Sequence, residues 1–239
     1  MKFTGVMFLG VILLVSSAVY TECLATEEKR HHDTGVKKML KKVVFNLAKF
    51  NKFNKGIAET IDDAIREVHF DSQMGYLCLL NDKLHGKMQT FSISDVNTIK
   101  ETLQSNPGSD GTWKATVSGM NIMFAKPTFS KTGNSGHSEH KLIDELSTMQ
   151  ENYKGYYGDC PEFVLLGTVR DPCIFTKSES GCAYDYMNAK DTFQKNGCTK
   201  TDFLLYIRGP IDQKYEKFFY EDTVGIMEEN DIDVYLRNK

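Results

Sequence analysis

The sequence predicts an α/β fold of three layers, in which a central mixed sheet of five strands lies between helices on both faces. From Phe163 onwards, continuous apolar runs alternate with helical segments, which is typical of buried parallel strands joined by crossover helices. Ahead of that stretch, Thr112 to Ser118 and Asn121 to Phe129 read as two strands across Gly119 and Met120. This pattern indicates an antiparallel hairpin, so the sheet is expected to be mixed.

The composition is that of an ordinary globular protein, with 41% hydrophobic and 26% charged residues. A formal charge of -3 and a pI near 6.1 exclude a surface that is basic overall. A polyanionic partner would therefore need a local basic patch.

The N-terminus has the residue order of an export signal. Lys2 precedes an apolar run from Gly5 to Val15 that is short for a membrane span, and small residues follow it. Cleavage after Ala18 or after Ala25 satisfies the small-residue rule; we expect Ala25, which makes residues 1–25 a signal peptide. We therefore expect a secreted, extracellular protein with no stable membrane insertion.

Residues 26–110 are predicted to form an N-terminal extension of helices and a strand pair. We expect a basic amphipathic helix at Val36–Phe53 and a second helix at Ile57–Phe70. Two strands are expected at Met74–Leu80 and Met88–Ile93, and Ser94 is expected to cap a further helix. The basic helix either packs its apolar face against the domain or contacts phosphates or anionic lipid.

Residues 111–239 are predicted to form the main domain. After the hairpin, helices and strands are expected to alternate at His137–Tyr153, Phe163–Val169, Ala183–Gln194, Phe203–Ile207, Asp212–Glu228 and Ile232–Leu236. Because a helix lies between the last two strands, we expect those two strands to be parallel.

Two of these helices begin near residues that can bind a metal. The first opens as His137-Ser138-Glu139-His140, and Cys173 and Cys182 precede or open the helix that follows the buried strand. One imidazole and two thiolates suit zinc and leave a fourth position for water, so His137, Cys173 and Cys182 are the predicted ligands. Glu139 is placed to move protons for that water. His140 lies one turn from His137 and is either an alternative ligand or a neighbour of the site.

An H-x-E motif at one helix start, a strand, and a Pro-Cys pair followed by a further Cys resemble the zinc-dependent cytidine deaminase superfamily. With the export signal, the resemblance is closest to the secreted AID/APOBEC-like deaminases. It implies zinc bound as predicted above, with Glu139 shuttling protons while hydroxide attacks C4 of a cytosine. The expected partner is single-stranded DNA or RNA, or a free cytosine nucleoside, and a defensive role outside the cell is the hypothesis that follows. The parallel last strands resemble the polynucleotide-editing branch.

The resemblance also indicates where a base would bind. Asp171 and Pro172 occupy the position at which the family recognises the base, although the family usually has Ser where this chain has Asp171. Tyr184, together with Tyr186 and Phe175, could stack a base or belong to the core. The two predicted cysteine ligands are further apart than the family's.

The cysteines leave a second reading open. Cys173 and Cys182 could instead form a disulfide in an oxidising compartment, in which case the chain would be a non-catalytic secreted binding protein whose basic helix contacts membranes or polyanions. Cys160 and Cys198 each precede one of two neighbouring strands, so a disulfide between them is expected. Cys78 lies in an apolar strand, where a buried free thiol is as well supported as a disulfide.

Overall fold

The computed structural model describes residues 52–69, 73–81, 91–128, 136–169, 181–209 and 216–237. The chain divides into two units, Met1–Ala48 and Lys49–Lys239, and all described residues belong to the second unit. Its helices are α1 (Lys52–Val68), α2 (Ile93–Gln104), α3 (Ser138–Asp144), α4 (Leu146–Tyr157), α5 (Cys182–Lys195) and α6 (Glu216–Glu229). Its strands are β1 (Gly75–Leu80), β2 (Thr112–Val117), β3 (Met120–Ala125), β4 (Phe163–Thr168), β5 (Asp202–Ile207) and β6 (Ile232–Leu236).

The strands form one mixed sheet in the order β2-β3-β1-β4-β5-β6. The first four are antiparallel to their neighbours, whereas β4, β5 and β6 are parallel. The parallel pairing of β5 with β6 confirms the prediction made from the helix between them.

Side chains that alternate along the strands build a core on each face of the sheet. On one face Tyr76, Cys78 and Leu80 of β1 pack with apolar residues of α1 and α2. On the other face Leu77 and Leu79 pack with residues of the later helices, which include Leu142, Tyr186, Phe193 and Met227. Because apolar side chains point both ways, the sheet is buried on both sides, and the predicted three-layer α/β class is confirmed.

The sheet has six strands rather than five, and the additional strand is β1. The local sequence pattern predicts that Met74–Leu80 belongs to an N-terminal extension and pairs with Met88–Ile93. In the structure β3 and β4 occupy both edges of β1, so the predicted strand pair is wrong. Ile93 instead begins α2. Since all six residues of β1 are buried, this strand belongs to the centre of the sheet.

Helix α2 begins two residues earlier than predicted. Its N-cap is Ser92, whose hydroxyl accepts a hydrogen bond from the Asp95 backbone N–H at 3.2 Å, while the Asp95 carboxylate accepts one from the Ser92 backbone N–H at 3.0 Å. This reciprocal capping box fixes the start of the helix at Ser92 rather than Ser94. The signal segment and the basic helix Val36–Phe53, of which only residues 52 and 53 fall within α1, otherwise lie outside the described residues.

The predicted disulfide between Cys160 and Cys198 is present. It joins the chain ahead of β4 to the chain ahead of β5, which are neighbouring parallel strands. Cys78 is a buried thiol, and burial raises its pKa well above the ordinary value. In the described part of the chain, no helix combines the length and the apolar character that crossing a bilayer requires.

A buried carboxylate connects α1 with the ends of β5 and β6. Asp62 is 2% exposed, and its carboxylate accepts hydrogen bonds from Arg208, from Arg237 at 3.0 Å and from the Tyr206 hydroxyl at 3.2 Å. Arg237 also donates to Asp63 at 2.7 Å. Since Arg208 follows β5 and Arg237 follows β6, this network anchors the helix to two parallel strands.

Candidate metal centre

The topology of the sheet brings the starts of α3 and α5 together. Strands β3 and β4 run in the same direction because each is antiparallel to β1. The chain therefore leaves both strands at the same edge of the sheet, and each segment leads to one of these helices. In layered α/β folds this edge is where ligands usually bind.

A glycine in β1 allows α3 to lie close to the sheet. A Cβ atom at Gly75, in β1, would come within 2.9 Å of Leu142 Cδ1 and 3.2 Å of the Gly167 carbonyl oxygen. Ser138, the first residue of α3, is buried against this surface. The start of the helix therefore depends on the absence of a side chain at Gly75.

His137 and Cys182 are in direct contact at the two helix starts. His137 is the N-cap of α3 and Cys182 is the first residue of α5, and the distance from His137 Nδ1 to Cys182 Sγ is 3.2 Å. For a tetrahedral zinc ion with ligands at about 2.0 and 2.3 Å, the nitrogen and sulfur would lie roughly 3.5 Å apart. Cys182 is fully buried and its sulfur is a thiol rather than part of a disulfide. The two side chains therefore already have a separation close to that of two ligands of one ion.

His140 completes a group of three side chains that could hold a metal ion. One ligand atom from each of His137, His140 and Cys182 lies within 4.8 Å of the others. The rings of the two histidines are 5.6 Å apart between centroids. His140 Nδ1 is also 2.8 Å from Asp185 Oδ2, a carboxylate of α5.

Glu139 lies in the first turn of α3, between the two histidines in sequence. The Ser138 hydroxyl donates a hydrogen bond to Glu139 Oε2 at 3.0 Å, and the buried position of Ser138 fixes this donor. A carboxylate oriented next to a metal ligand can accept and return a proton.

A lysine holds the other side of α3 in place. The Lys141 ammonium donates hydrogen bonds to the carbonyl oxygens of Asp110 and, at 3.0 Å, of Lys126. Its partial burial lowers the pKa of Lys141 from the ordinary value, although the nearby Asp110 carboxylate acts in the opposite direction. These contacts attach the helix that carries both histidines to the chain on either side of the hairpin.

Comparison with known proteins tests the resemblance to the cytidine deaminases. No family model, no curated protein and no solved structure matches this chain. The likeness to cytidine deaminases therefore rests on the motif residues alone and stays a prediction.

The structure brings together only part of the predicted site. His137, Glu139 and Cys182 lie at the two helix starts, as expected. Cys173, Asp171 and Pro172 lie outside the described residues, so the third predicted ligand and the base-recognition position stay predictions.

The aromatic residues of α5 differ in their surroundings. Tyr184 is half-buried on the same helix as Cys182, and its proposed role in stacking a base stays a prediction. Tyr186 is fully buried and its hydroxyl donates to the Leu204 carbonyl oxygen at 3.1 Å, so it belongs to the core and cannot stack a base.

Asp185 is a residue of this site that the sequence motifs do not predict. The signal that could have found it is spacing, because Asp185 follows Cys182 by three residues, as His140 follows His137. Residues three apart share a helix face, and in the structure α3 and α5 also meet one turn beyond their first residues.

Proposed function

We propose that the chain is a secreted zinc-dependent deaminase that hydrolyses cytosine to uracil, acting on single-stranded nucleic acid. The observation that carries this proposal is the contact between His137 and Cys182, with Glu139 in the same helix turn as the histidine.

The chemistry of the donor atoms supports zinc. Imidazole nitrogen and thiolate sulfur are the ligands that zinc binds most often in proteins, whereas magnesium and calcium prefer oxygen. Within the described residues, the cluster contributes two nitrogens and one sulfur and no carboxylate oxygen. Bound zinc would lower the pKa of a water molecule to about 7 and so supply a nucleophile at neutral pH.

Glu139 would carry the protons of the reaction. Its carboxylate, held at Oε2 by the Ser138 hydroxyl, accepts a proton from water and delivers protons to the ring nitrogen N3 and to the leaving amine. The water oxygen bonds to C4, the bond between C4 and the exocyclic nitrogen breaks, and the products are uracil and ammonia. The choice of deamination among zinc-assisted hydrolyses rests on the H-x-E and Pro-Cys motifs.

Two further features support the place and the substrate of the reaction. The disulfide between Cys160 and Cys198 is compatible with an oxidising, extracellular compartment, as the predicted export signal requires. The parallel β5 and β6 favour a polynucleotide substrate over a free cytosine nucleoside, because the sequence resemblance associates this arrangement with the polynucleotide-editing branch. Action on foreign nucleic acid, and hence a role in defence, is part of the same proposal.

The alternative reading as a non-catalytic binding protein required oxidised cysteines. A disulfide between Cys173 and Cys182 is at odds with Cys182 being a thiol. The basic helix on which that reading also depended lies outside the described residues, so it adds no support.

A deamination assay with matched variants tests the proposal. The zinc-loaded full chain is incubated with single-stranded DNA, single-stranded RNA and cytidine, and uracil or uridine is quantified. We expect conversion of a single-stranded polynucleotide, and we expect Glu139→Gln to lower the rate by about 10²–10⁴-fold while keeping its zinc. Glu151→Gln, an exposed glutamate on α4, is the control and should retain the full rate.

Two outcomes would contradict the proposal. Zinc-loaded wild-type protein that converts none of the three substrates is not a cytosine deaminase. Equal rates for the wild-type protein and Glu139→Gln would exclude the role given to this carboxylate.

A further inference from the structure

We propose that the open edge of β2 binds an extended peptide segment of a partner protein, which joins the sheet as an additional strand. Backbone hydrogen bonds to β2 hold the segment, and two hollows beside β2 receive its alternate side chains. This inference goes beyond the proposed function, because it concerns an interaction surface and involves none of the metal ligands.

Strand β2 lies at the edge of the sheet and pairs with β3 on one side only. The Lys126 backbone N–H donates a hydrogen bond to the Gly111 carbonyl oxygen at 3.2 Å, at the start of this pairing. Backbone groups along an antiparallel strand point to alternate sides, so every second residue after Gly111 bonds to β3, while Lys114 and Thr116 point their backbone groups outwards. In the described part of the chain, no group bonds to these outward N–H and C=O groups. They form the open edge, which offers donors and acceptors to an added strand.

A charged side chain often protects an exposed strand edge from pairing with another chain. Lys114 is the charged residue of β2, but its ammonium lies 3.2 Å from Glu145 Oε2. Glu145 is the N-cap of α4, which packs on one face of the sheet. The lysine side chain therefore extends across that face and leaves the open edge uncovered.

A first hollow of about 310 Å³ lies beside the open edge, between the β2–β3 hairpin and α4. Its lining is divided by depth, since buried residues form the floor and exposed polar residues form the rim. The floor includes Leu79, Met123 and Tyr153, and the rim includes Thr116, Asn121 and Thr148. The first hollow therefore suits an apolar side chain that enters from the edge.

A second hollow of about 370 Å³ lies on the other face of the sheet, between β2 and the end of α2. Lys114 lines both hollows, as expected of a residue at the edge between the two faces. The remaining lining of the second hollow is mainly polar and includes Thr102, Ser105, Asn106 and Thr112. The second hollow therefore suits a polar side chain.

The two hollows fit the geometry of a strand, whose successive side chains point to opposite faces of a sheet. In a strand added to β2, a residue opposite Lys114 or Thr116 shares the face of their side chains and meets the first hollow. A residue opposite Trp113 shares the other face and meets the second hollow. The peptide that fits the open edge therefore alternates apolar and polar residues.

The open edge is already held in the shape that a peptide needs. At the tip of the hairpin, the Tyr157 hydroxyl donates a hydrogen bond to the Gly119 carbonyl oxygen at 2.6 Å. The Ser118 hydroxyl donates to the Asp95 carboxylate of α2 at 3.0 Å. Because helices on both faces fix the hairpin, binding does not have to order it, and this lowers the entropic cost of association.

Selection from a displayed library of random heptapeptides on the immobilised full chain tests the proposal. We expect enrichment of peptides that alternate apolar and polar residues and lack proline at their centre. An enriched peptide is then synthesised with capped ends, and its affinity for the full chain is measured by fluorescence anisotropy.

Two substitutions locate the bound peptide. Thr116→Pro removes an outward N–H while keeping the bonds of β2 to β3, and should lower the affinity by about tenfold; Thr116→Val keeps the N–H and should retain binding. Thr148→Phe fills the first hollow from α4 and should also weaken binding. Its control is Ser147→Phe, an exposed neighbour that does not line the hollow and should bind like the wild-type protein. Melting curves followed by circular dichroism check that each variant is folded.

Three results would count against the proposal. A selection that enriches no peptide, or unchanged affinity in folded Thr116→Pro, would overturn it. Unchanged affinity in Thr148→Phe would overturn the role of the first hollow. A wild-type chain that binds no peptide but forms a dimer in sedimentation velocity, which Thr116→Pro abolishes, would instead assign the open edge to a second copy of this chain.

Discussion

The buried carboxylate of Asp62 provides the sharpest prediction about stability. Asp62→Ala removes the acceptor for Arg208, Arg237 and Tyr206 at once. Arg237 keeps Asp63 as a partner, but the Arg208 side chain is only 11% exposed and would be left as a buried charge without its carboxylate. Breaking such a pair from one side costs about 3–5 kcal/mol of unfolding free energy.

The adjacent aspartate is the matched control. The side chain of Asp63 is 49% exposed, so Asp63→Ala should cost at most about 1 kcal/mol. For a unit of this size, each kcal/mol corresponds to about 2–4 °C in melting temperature, so Asp62→Ala should melt roughly 10 °C lower than the wild-type protein. Thermal and urea denaturation followed by circular dichroism measure both variants.

A second substitution separates the buried charge from the lost contacts. Adding Arg208→Met to Asp62→Ala removes the orphaned guanidinium and should restore part of the stability, because replacing both partners of a buried pair is often neutral. Equal melting temperatures for Asp62→Ala and Asp63→Ala would refute the reasoning. So would a double variant less stable than Asp62→Ala alone.

Three further predictions concern other parts of the fold. Gly167→Ala would place a Cβ atom 2.0 Å from the buried Tyr76 ring and should cost about 3 kcal/mol, measured by urea denaturation; an unchanged midpoint would contradict the packing. Cys198→Ala opens the disulfide, whose cysteines are 38 residues apart, and should cost about 2–4 kcal/mol, with no loss expected if the disulfide does not form. Partial burial raises the pKa of Asp95, but hydrogen bonds from Ser92 outweigh it and bring the pKa below 3.8. The stability that the ionised carboxylate contributes is therefore lost as the pH falls below that value, and Ser92→Ala should flatten the decline seen in denaturation curves between about pH 5 and pH 2; an identical decline would exclude this role.

Local sequence patterns predicted the parallel half of the sheet well. Continuous apolar runs mark β4 and β5 because these strands are buried on both faces, and the helices between the strands fix their direction. The same logic placed Cys160 and Cys198 side by side, since each precedes one of two adjacent parallel strands.

The position of β1 could not be read from local sequence. An apolar segment followed by a polar turn resembles the first strand of a hairpin, but the partners of Gly75–Leu80 lie more than forty residues further along the chain, in β3 and β4. Strand pairing over such distances is decided by packing of the whole sheet rather than by the segment itself.

The candidate metal centre was predicted in part. His137 and Cys182 follow from the rule that ligands gather at helix starts beyond strand ends, and the contact between them agrees with that rule. The contact between His140 and Asp185 depends on how α3 and α5 face each other, which requires the angle between two helices that neither sequence segment encodes alone.

The most direct test of the central claim is the metal content of the purified full chain. Elemental analysis should find about one zinc per chain in the wild-type protein and none in His137→Ala or Cys182→Ser, because each variant removes one of the three protein ligands that a catalytic zinc site needs. A zinc-free wild-type protein, or variants that keep their zinc, would contradict the account.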